Sequence, residues 1–373
     1  MPEKNASLTN QKVYFDGTFL DNKSGVGRDS RNLLSAANLA YGGSVRVIYP
    51  RLRLFTRVVK NSPVPTKSKF QKILKFRAIL TKKTEICRLE KQSIFIQSHL
   101  HCVTPSIDDQ IKYIVRLHDV FPISNPDWFR WYSKSIFSIG FNNANGRALF
   151  ICDSITTQTE LNKIEGAGKI SSSVALCPVV IPSGHLCKHC SGCKSITLRQ
   201  KHVVSIGTLE PRKNFTELIA AWVESEAFIL TNTHLYIIGR KGWKSSKLAK
   251  YLQERGHLSG IRWIKDACDE SVQKLLRSSE FLVSTSFEEG FNLPVAEALL
   301  QQVPVLISNN RVHTEIYISE AKFYNLNDAV DLSKNIYKLL CDGKKSEKSY
   351  GHDPQFSNHD RALKTLAKAL RDA

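Results

Sequence analysis

Residues 281–297, FLVSTSFEEGFNLPVAE, join an apolar run to a loop and then to a helical pattern. The run at 281–284 predicts a buried strand, and Pro294 suits a first helical turn, where its missing N–H is no loss. A loop between a strand end and a helix start can aim backbone N–H groups at a phosphate, helped by the positive end of the helix dipole. Gly290 permits the close approach of such a ligand. The stretch therefore predicts an anion-binding site.

Two glutamates flank this loop with seven residues between them. Glu289 precedes the turn and Glu297 lies within the predicted helix, so the two carboxylates can have different roles. Both can accept hydrogen bonds from hydroxyl groups. A sugar on one side of a diphosphate and a ribose on the other would present hydroxyls at about that separation. The alternative is a pair of surface glutamates near a helix start.

The same alternation of strands and helices extends outward over the whole chain. The predicted strands are apolar and β-branched, and they lie at 13–16, 44–49, 93–97, 113–117 and 148–152, then at 202–206, 235–238, 261–264, 281–284 and 303–307. The predicted helices lie at 27–39, 127–141, 154–163, 215–224, 245–254, 271–277, 294–300 and 360–370. Asp153 or Ser154 is a suitable N-cap for the third helix. Two consecutive series predict an α/β protein of two doubly wound, Rossmann-like domains that face a cleft, and 373 residues suffice for both.

The net charge of +19 indicates an anionic partner. Residues 51–91 carry thirteen Lys or Arg against two acids, with apolar side chains at helical intervals. Such a segment could lie on an anionic membrane surface, or it could bury its apolar stripe in its own domain. There is no apolar run long enough to cross a bilayer, and residues 1–12 lack a secretory pattern, so we expect a cytoplasmic protein.

Nine cysteines without a signal peptide do not suggest a disulfide framework. Cys187, Cys190 and Cys193 have regular spacing in a segment between the two halves. Three thiols are one short of a closed zinc site. A structural metal and a plain cysteine-rich connector both remain open.

The second half resembles glycosyltransferase family 4, which has the GT-B fold and retains anomeric configuration. The resemblance is carried by the two glutamates with their intervening loop, and it includes residues 205–214, 238–243 and 308–315. Together these blocks span about 203–328. Asn292 stands where a second glycine is common in the family.

The resemblance implies roles for individual residues. Arg212 and Lys213 would meet the donor diphosphate, Glu289 the sugar hydroxyls and Glu297 the ribose. In the first half, residues 116–122 resemble a block in which many mannosyltransferases place a reaction-centre histidine, here His118. The remaining expected donor-binding residues are Gly25, Val26, Gly27, Gly239, Lys265, Gly290, Phe291, Asn292 and Leu293.

The resemblance also implies a domain plan. Residues 1–185 would bind the acceptor, 186–200 would form a cysteine-rich linker, and 201–355 would bind the nucleotide sugar. Residues 356–373 would add a helix that packs back on the first domain.

The implied reaction is transfer of a hexose, with mannose from GDP-mannose as the first candidate. The acceptor would be a glycan or lipid-linked glycan of surface polysaccharide or lipopolysaccharide biosynthesis. The chain has no Asp-x-Asp element that would hold a catalytic divalent ion, and no cofactor is expected. The alternatives are a sugar-nucleotide epimerase of the same fold and a basic nucleic-acid-binding protein. Against the latter, the basic residues show no aromatic interleaving.

Overall fold

The computed structural model describes residues 11–22, 25–43, 45–48, 89–100, 109–164, 170–179, 181, 200–341 and 359–372. The chain divides into two compact units, one of Met1–Pro178 with Asp360–Ala373 and one of Val179–His359. The cysteine run at 187–193 and residues 51–88 of the basic segment lie outside the described residues.

The first unit contains a parallel sheet with the strand order β2-β1-β3-β4-β5-β6. Its strands are β1 (Val13–Asp16), β2 (Val45–Ile48), β3 (Ile94–Gln97), β4 (Lys112–Leu117), β5 (Ala148–Cys152) and β6 (Ser171–Val174). Its helices are α1 (Gly25–Ala40), α2 (Phe121–Ser124), α3 (Trp131–Ala144), α4 (Ile155–Asn162) and, from the end of the chain, α12 (His359–Asp372).

Helix α12 belongs to the core of the first unit. Leu366 and Leu370 are fully buried in one apolar cluster with Val13 and Phe15 of β1. The Tyr41 hydroxyl donates to the carbonyl of Leu370 at 2.5 Å. Each buried leucine contributes about 1.5–3 kcal/mol relative to exposure, so this helix adds substantially to the stability of the unit.

The second unit contains a parallel sheet with the order β12-β11-β10-β7-β8-β9. Its strands are β7 (His202–Ile206), β8 (His234–Ile238), β9 (Ile261–Ile264), β10 (Leu282–Ser284), β11 (Val305–Ser308) and β12 (Lys322–Tyr324). Its helices are α5 (Phe215–Glu224), α6 (Ala227–Thr231), α7 (Ser246–Glu254), α8 (Asp269–Arg277), α9 (Leu293–Leu300), α10 (Arg311–Tyr317) and α11 (Ala329–Cys341). The strand order reverses between β7 and β10, as in a Rossmann sheet.

Local chemistry explains where the elements match the sequence pattern and where they differ. Ser154 caps α4 and accepts a hydrogen bond from the Thr157 amide at 3.1 Å, as expected. The helix expected over 127–141 is instead a 3-10 turn (Pro126–Trp128) followed by α3, because the backbone between them is extended at Phe129 and Arg130. The sequence did not predict strands β6 and β12, because β6 has the polar sequence SSSV and β12 has only three residues.

Among the described residues, no helix combines the length and apolar character needed to cross a membrane.

Candidate functional site

The loops that follow β7 and β10 meet where the strand order of the second unit reverses. The two strands are neighbours, with Leu282 opposite Val204. Open α/β sheets bind ligands at the carboxyl ends of their strands at this point. The loop after β7 carries Arg212 and Lys213 in the 3-10 turn Pro211–Lys213, and the loop after β10 carries Glu289.

Glu289 is the centre of this arrangement. Its Oε1 accepts hydrogen bonds from Lys213 Nζ at 2.5 Å and from Ser286 Oγ at 2.6 Å, and its Oε2 accepts from Arg212 Nη1. Burial raises the pKa of Glu289, but the charges of Arg212 and Lys213 outweigh it and hold the pKa well below its usual range. Glu289 is therefore an ionised carboxylate with two cationic partners.

The two loops are also joined through their backbones. Arg212 donates from Nη1 to the Glu288 carbonyl at 3.0 Å and from Nη2 to Glu210 Oε1 at 2.9 Å, and its own carbonyl accepts from the Phe287 amide at 2.9 Å. The side chains of Arg212 and Lys213 keep exposed fractions of 15% and 13%. Both cations are thus fixed but still reachable by an anion.

Gly239, at the end of β8, lies against the backbone after β7. A Cβ at Gly239 would stand 1.9 Å from the carbonyl oxygen of Gly207, so only glycine fits there. The Gly239 carbonyl accepts from Trp263 Nε1 at 2.8 Å, and Lys265 Nζ lies 4.6 Å from the centre of the Trp263 ring. Gly239 therefore lies against the loop that contains Arg212. Lys265 packs against the ring of Trp263 at the end of the neighbouring strand β9.

Asn292 shapes the loop ahead of α9. It has a left-handed backbone with φ of 73°, which asparagine tolerates better than most residues. Its Nδ2 donates to Ser284 Oγ at 3.0 Å and to His313 Nε2 at 2.7 Å, while His313 Nδ1 donates to the Ser308 carbonyl at 2.8 Å. Burial lowers the pKa of His313 to about 4, so it stays neutral and can accept from Asn292. Gly290 and Phe291 are buried beside it, and Leu293 begins the helix.

Glu297 lies one turn inside α9 and is 2% exposed. Gln273 of α8 donates from Nε2 to its Oε2 at 2.7 Å. Gln301 donates in turn to Gln273 Oε1 at 2.6 Å. Glu297 is therefore a buried and oriented carboxylate. The alternative that it is a surface glutamate is wrong.

The other predicted residues belong to the first unit. Gly25, Val26 and Gly27 begin α1, and a Cβ at Gly27 would stand 1.8 Å from the Asn22 carbonyl oxygen. This turn therefore requires glycine at position 27 for steric reasons.

His118 follows β4 and belongs to a buried cluster of charges. Its Nδ1 lies 2.8 Å from Asp153 Oδ2, and its Nε2 lies 3.7 Å from Asp29 Oδ2. Arg116 links the two acids, with Nη2 at 2.6 Å from Asp153 Oδ1 and Nε at 3.3 Å from Asp29 Oδ2. Burial lowers the pKa of His118, but the two carboxylates, chiefly Asp153, raise it to about 9.

Asp29, His118 and Asp153 place their ligand atoms within 4.8 Å of one another, close enough to share a metal ion. The Arg116 guanidinium, however, already forms ion pairs with both carboxylates. We interpret the group as an ion network that fixes His118.

The sequence did not predict several residues that contact Glu289, Glu297, Asn292 and His118. Asp29 and Gln273 have no local signal, because they lie on helices far along the chain from the residues they contact. Arg116 and His313 lie within two of the blocks that resemble the family, but the resemblance implied no role for either of them. Ser286 has no signal that separates it from an ordinary loop serine.

Known proteins resemble part of this chain in sequence. The family model described as "Glycosyl transferases group 1" matches residues 194–351. The serotype-specific mannosyltransferase WbdA of Escherichia coli is 30% identical over 143 residues, covering 37% of this chain and 17% of WbdA. The O-antigen chain mannosyltransferase B of Escherichia coli is 33% identical over 144 residues, covering 38% of each protein. The chain thus matches less than two fifths of either relative.

Solved structures resemble nearly the whole chain. A sucrose-phosphate synthase from Thermosynechococcus elongatus has a TM-score of 0.60 at 14% identity, covering 96% of this chain and 94% of its own. WaaG, a glycosyltransferase involved in lipopolysaccharide biosynthesis, has a TM-score of 0.59 at 12% identity, covering 97% and 95%. HepE of Anabaena, solved with UDP and glucose, has a TM-score of 0.56 at 14% identity, covering 96% and 94%. These likenesses confirm the GT-B fold with two Rossmann-like domains.

Proposed function

We propose that this chain, whose residues 194–351 match the glycosyl transferases group 1 family, moves a hexose from a nucleotide diphosphate sugar to a glycan or lipid-linked glycan. The observation that carries the proposal is the convergence of Arg212 and Lys213 on Glu289 at the switch point of the second sheet. Fixed cations beside a helix start are what a nucleotide diphosphate needs for binding.

The chemistry that we propose follows from these charges. Cleavage of the anomeric C–O bond leaves negative charge on the departing phosphate, and Arg212 and Lys213 stabilise it without a metal. The acceptor hydroxyl attacks from the same face, and its proton passes to the leaving phosphate oxygen, which gives retention. Glu289, already ionised, accepts hydrogen bonds from the sugar hydroxyls, and Glu297 accepts from the ribose.

We assign mannose as the first candidate sugar, with GDP-mannose as donor. Both Escherichia coli relatives are named as mannosyltransferases, which supports this choice. HepE was solved with UDP and glucose, which makes UDP-glucose the natural comparison donor. O-antigen and lipopolysaccharide in the names of similar proteins support a surface polysaccharide acceptor.

A two-step measurement on the full chain tests the proposal. Thermal shift with a panel of nucleotide sugars identifies the donor, because a ligand that binds only the folded state raises the melting temperature. The selected donor is then incubated with mannosylated glycan and lipid-linked acceptors, and the products are analysed by mass spectrometry. Donor consumption with no glycosylated acceptor, or isomerised donor, would reject transfer in favour of an epimerase.

Glu289→Gln gives the matched chemical test. It keeps the shape of the side chain and removes the charge that faces Arg212 and Lys213. We expect a loss of at least about a hundredfold in kcat. Glu254→Gln, an exposed change at the end of α7, is the control and should leave turnover unaltered.

A further inference from the structure

The His118 cluster contains an imbalance of charge. Asp29 and Asp153 are buried, with exposed fractions of 1% and 3%, and both face the buried guanidinium of Arg116. Two carboxylates and one guanidinium leave one negative charge without a cation. A buried charge without compensation is costly, so the cluster favours a further positive charge at its edge.

His118 stands at that edge. Its Nδ1 is within hydrogen-bond distance of Asp153 Oδ2, at 2.8 Å, and a carboxylate there can only accept. Its Nε2 lies 3.7 Å from Asp29 Oδ2, and no hydrogen-bond partner for Nε2 exists within the described part of the chain. One nitrogen is therefore committed as a donor, and a second carboxylate favours a proton on the other.

The neighbouring groups do not supply the missing charge by another route. Cys177 donates its thiol proton to Asp29 Oδ1 at 2.7 Å, and burial raises the pKa of that thiol well above its ordinary value, so it stays neutral. His99, which follows β3, has its ring 5.5 Å from the ring of His118. A charge on His99 acts on Asp153 more weakly than the charges of Arg116 and His118 do.

We propose that Asp153 and Asp29 hold His118 as an imidazolium, a charge state in which the ring cannot act as a general base. Asp153 is then a positioning residue, since it fixes the ring through Nδ1. The charge state rests on the cluster alone and does not depend on the proposed function.

The opposite role is chemically reasonable and has to be distinguished. A histidine paired with an aspartate commonly accepts a proton from an attacking hydroxyl, which requires a neutral ring. Asp29 near Nε2 disfavours that form here, and the two carboxylates raise the pKa of His118 to about 9. An imidazolium cannot accept a proton, so in the proposed reaction the acceptor proton passes to the leaving phosphate oxygen.

Nuclear magnetic resonance of the full chain labelled with ¹⁵N-histidine reads the charge state directly. His118→Gln assigns the signal among the eleven histidines, and His257→Gln, at an exposed position, is the control for the assignment. We expect both His118 nitrogens to show imidazolium shifts at pH 7.5. A neutral ring at that pH would overturn the inference, whether or not sugar transfer is observed.

Asp153→Asn tests the positioning role. The amide removes the charge at Nδ1, so the titration of His118 should move down by roughly one pH unit or more. In the transfer assay the fall of kcat/KM at high pH should move down with it. An unchanged His118 titration would contradict the role given to Asp153, and kcat/KM that rises as His118 loses its proton would identify a base. Imidazolium signals without any transfer would instead reject the proposed function and leave the charge state standing.

Discussion

Lys213 Nζ lies 2.5 Å from Glu289 Oε1, although 76 positions separate the two residues in the chain. The contact exists because β7 and β10 are neighbouring parallel strands, so the loops that follow them lie at the same edge of the sheet. The charges of the candidate donor site are thus assembled by strand order, and each is held by the other loop.

Lys213→Ala removes one of the two cations on Glu289. We expect kcat/KM for transfer to fall by at least about a hundredfold, because the leaving phosphate loses a fixed positive charge. The free energy of unfolding should fall by only about 1–3 kcal/mol, since Arg212 and Ser286 still satisfy the carboxylate. Steady-state kinetics and urea unfolding measure both quantities.

Lys250→Ala is the matched control, because Lys250 is exposed on α7. It should alter neither quantity appreciably. Equal kinetic losses in the two variants would show that general electrostatics, and not the contact with Glu289, governs the rate.

Much of this site could be predicted from sequence because its residues sit at strand ends. Alternating apolar runs identify β7 and β10, and the loop after each run carries the charged residues. Gln273 could not be found in this way, since its role depends on α8 packing beside α9, a tertiary contact that leaves no pattern in the sequence. Asp29 could not be found for the same reason, because it contacts Arg116 although 87 positions separate the two residues.

Apolar periodicity identifies most strands, but it could not identify β6. β6 consists of three serines and a valine and owes its place to pairing with β5, with Leu149 opposite Ser171. A strand at a sheet edge needs little apolar surface of its own, so pairing decides where composition does not. For Asp153 the sequence suggests only a helix cap, because local rules address the backbone and not a histidine 35 positions earlier.

Gly239→Ala tests the contact between the ends of β7 and β8. The new Cβ would lie 1.9 Å from the Gly207 carbonyl oxygen, so the two backbones must separate. We expect a loss of about 3 kcal/mol or more in the free energy of unfolding, measured by urea denaturation.

Gly239 also has φ of +153°, which strains any L side chain, so Gly43→Ala measures the cost of a positive φ without a clash. Gly43 has φ of +79°, and beyond its chain neighbours a Cβ at this position would meet no atom of the described residues within 4 Å, so the substitution should cost only about 1–2 kcal/mol. A loss at Gly239 no larger than that at Gly43 would mean that the close approach is unimportant.

Gln273→Leu removes the hydrogen bond that orients Glu297. If Glu297 binds the ribose, its misplacement weakens the donor in the ground state and in the transition state alike, which raises KM and leaves kcat nearly unchanged. We expect a KM for the donor raised about five- to twentyfold, consistent with the loss of one hydrogen bond to a charged group. Lys274→Ala, the exposed neighbour on α8, should leave KM as it is. A change confined to kcat would place Glu297 in the chemical step.

The pairing of His118 with Asp153 makes stability depend on pH in a defined direction. The pKa of His118 is raised to about 9 in the folded chain, against an ordinary value near 6.5 when unfolded. The folded state therefore binds the proton more tightly, and this contribution is complete below about pH 6.5 and is lost as pH rises through about 9. The difference in unfolding free energy between the native chain and His118→Gln should shrink steadily over that interval. Urea unfolding of both at pH 6, 7.5 and 9.5 measures it, and other titrating groups cancel because the two chains share them. A difference that grows with pH would require a neutral His118 in the folded state.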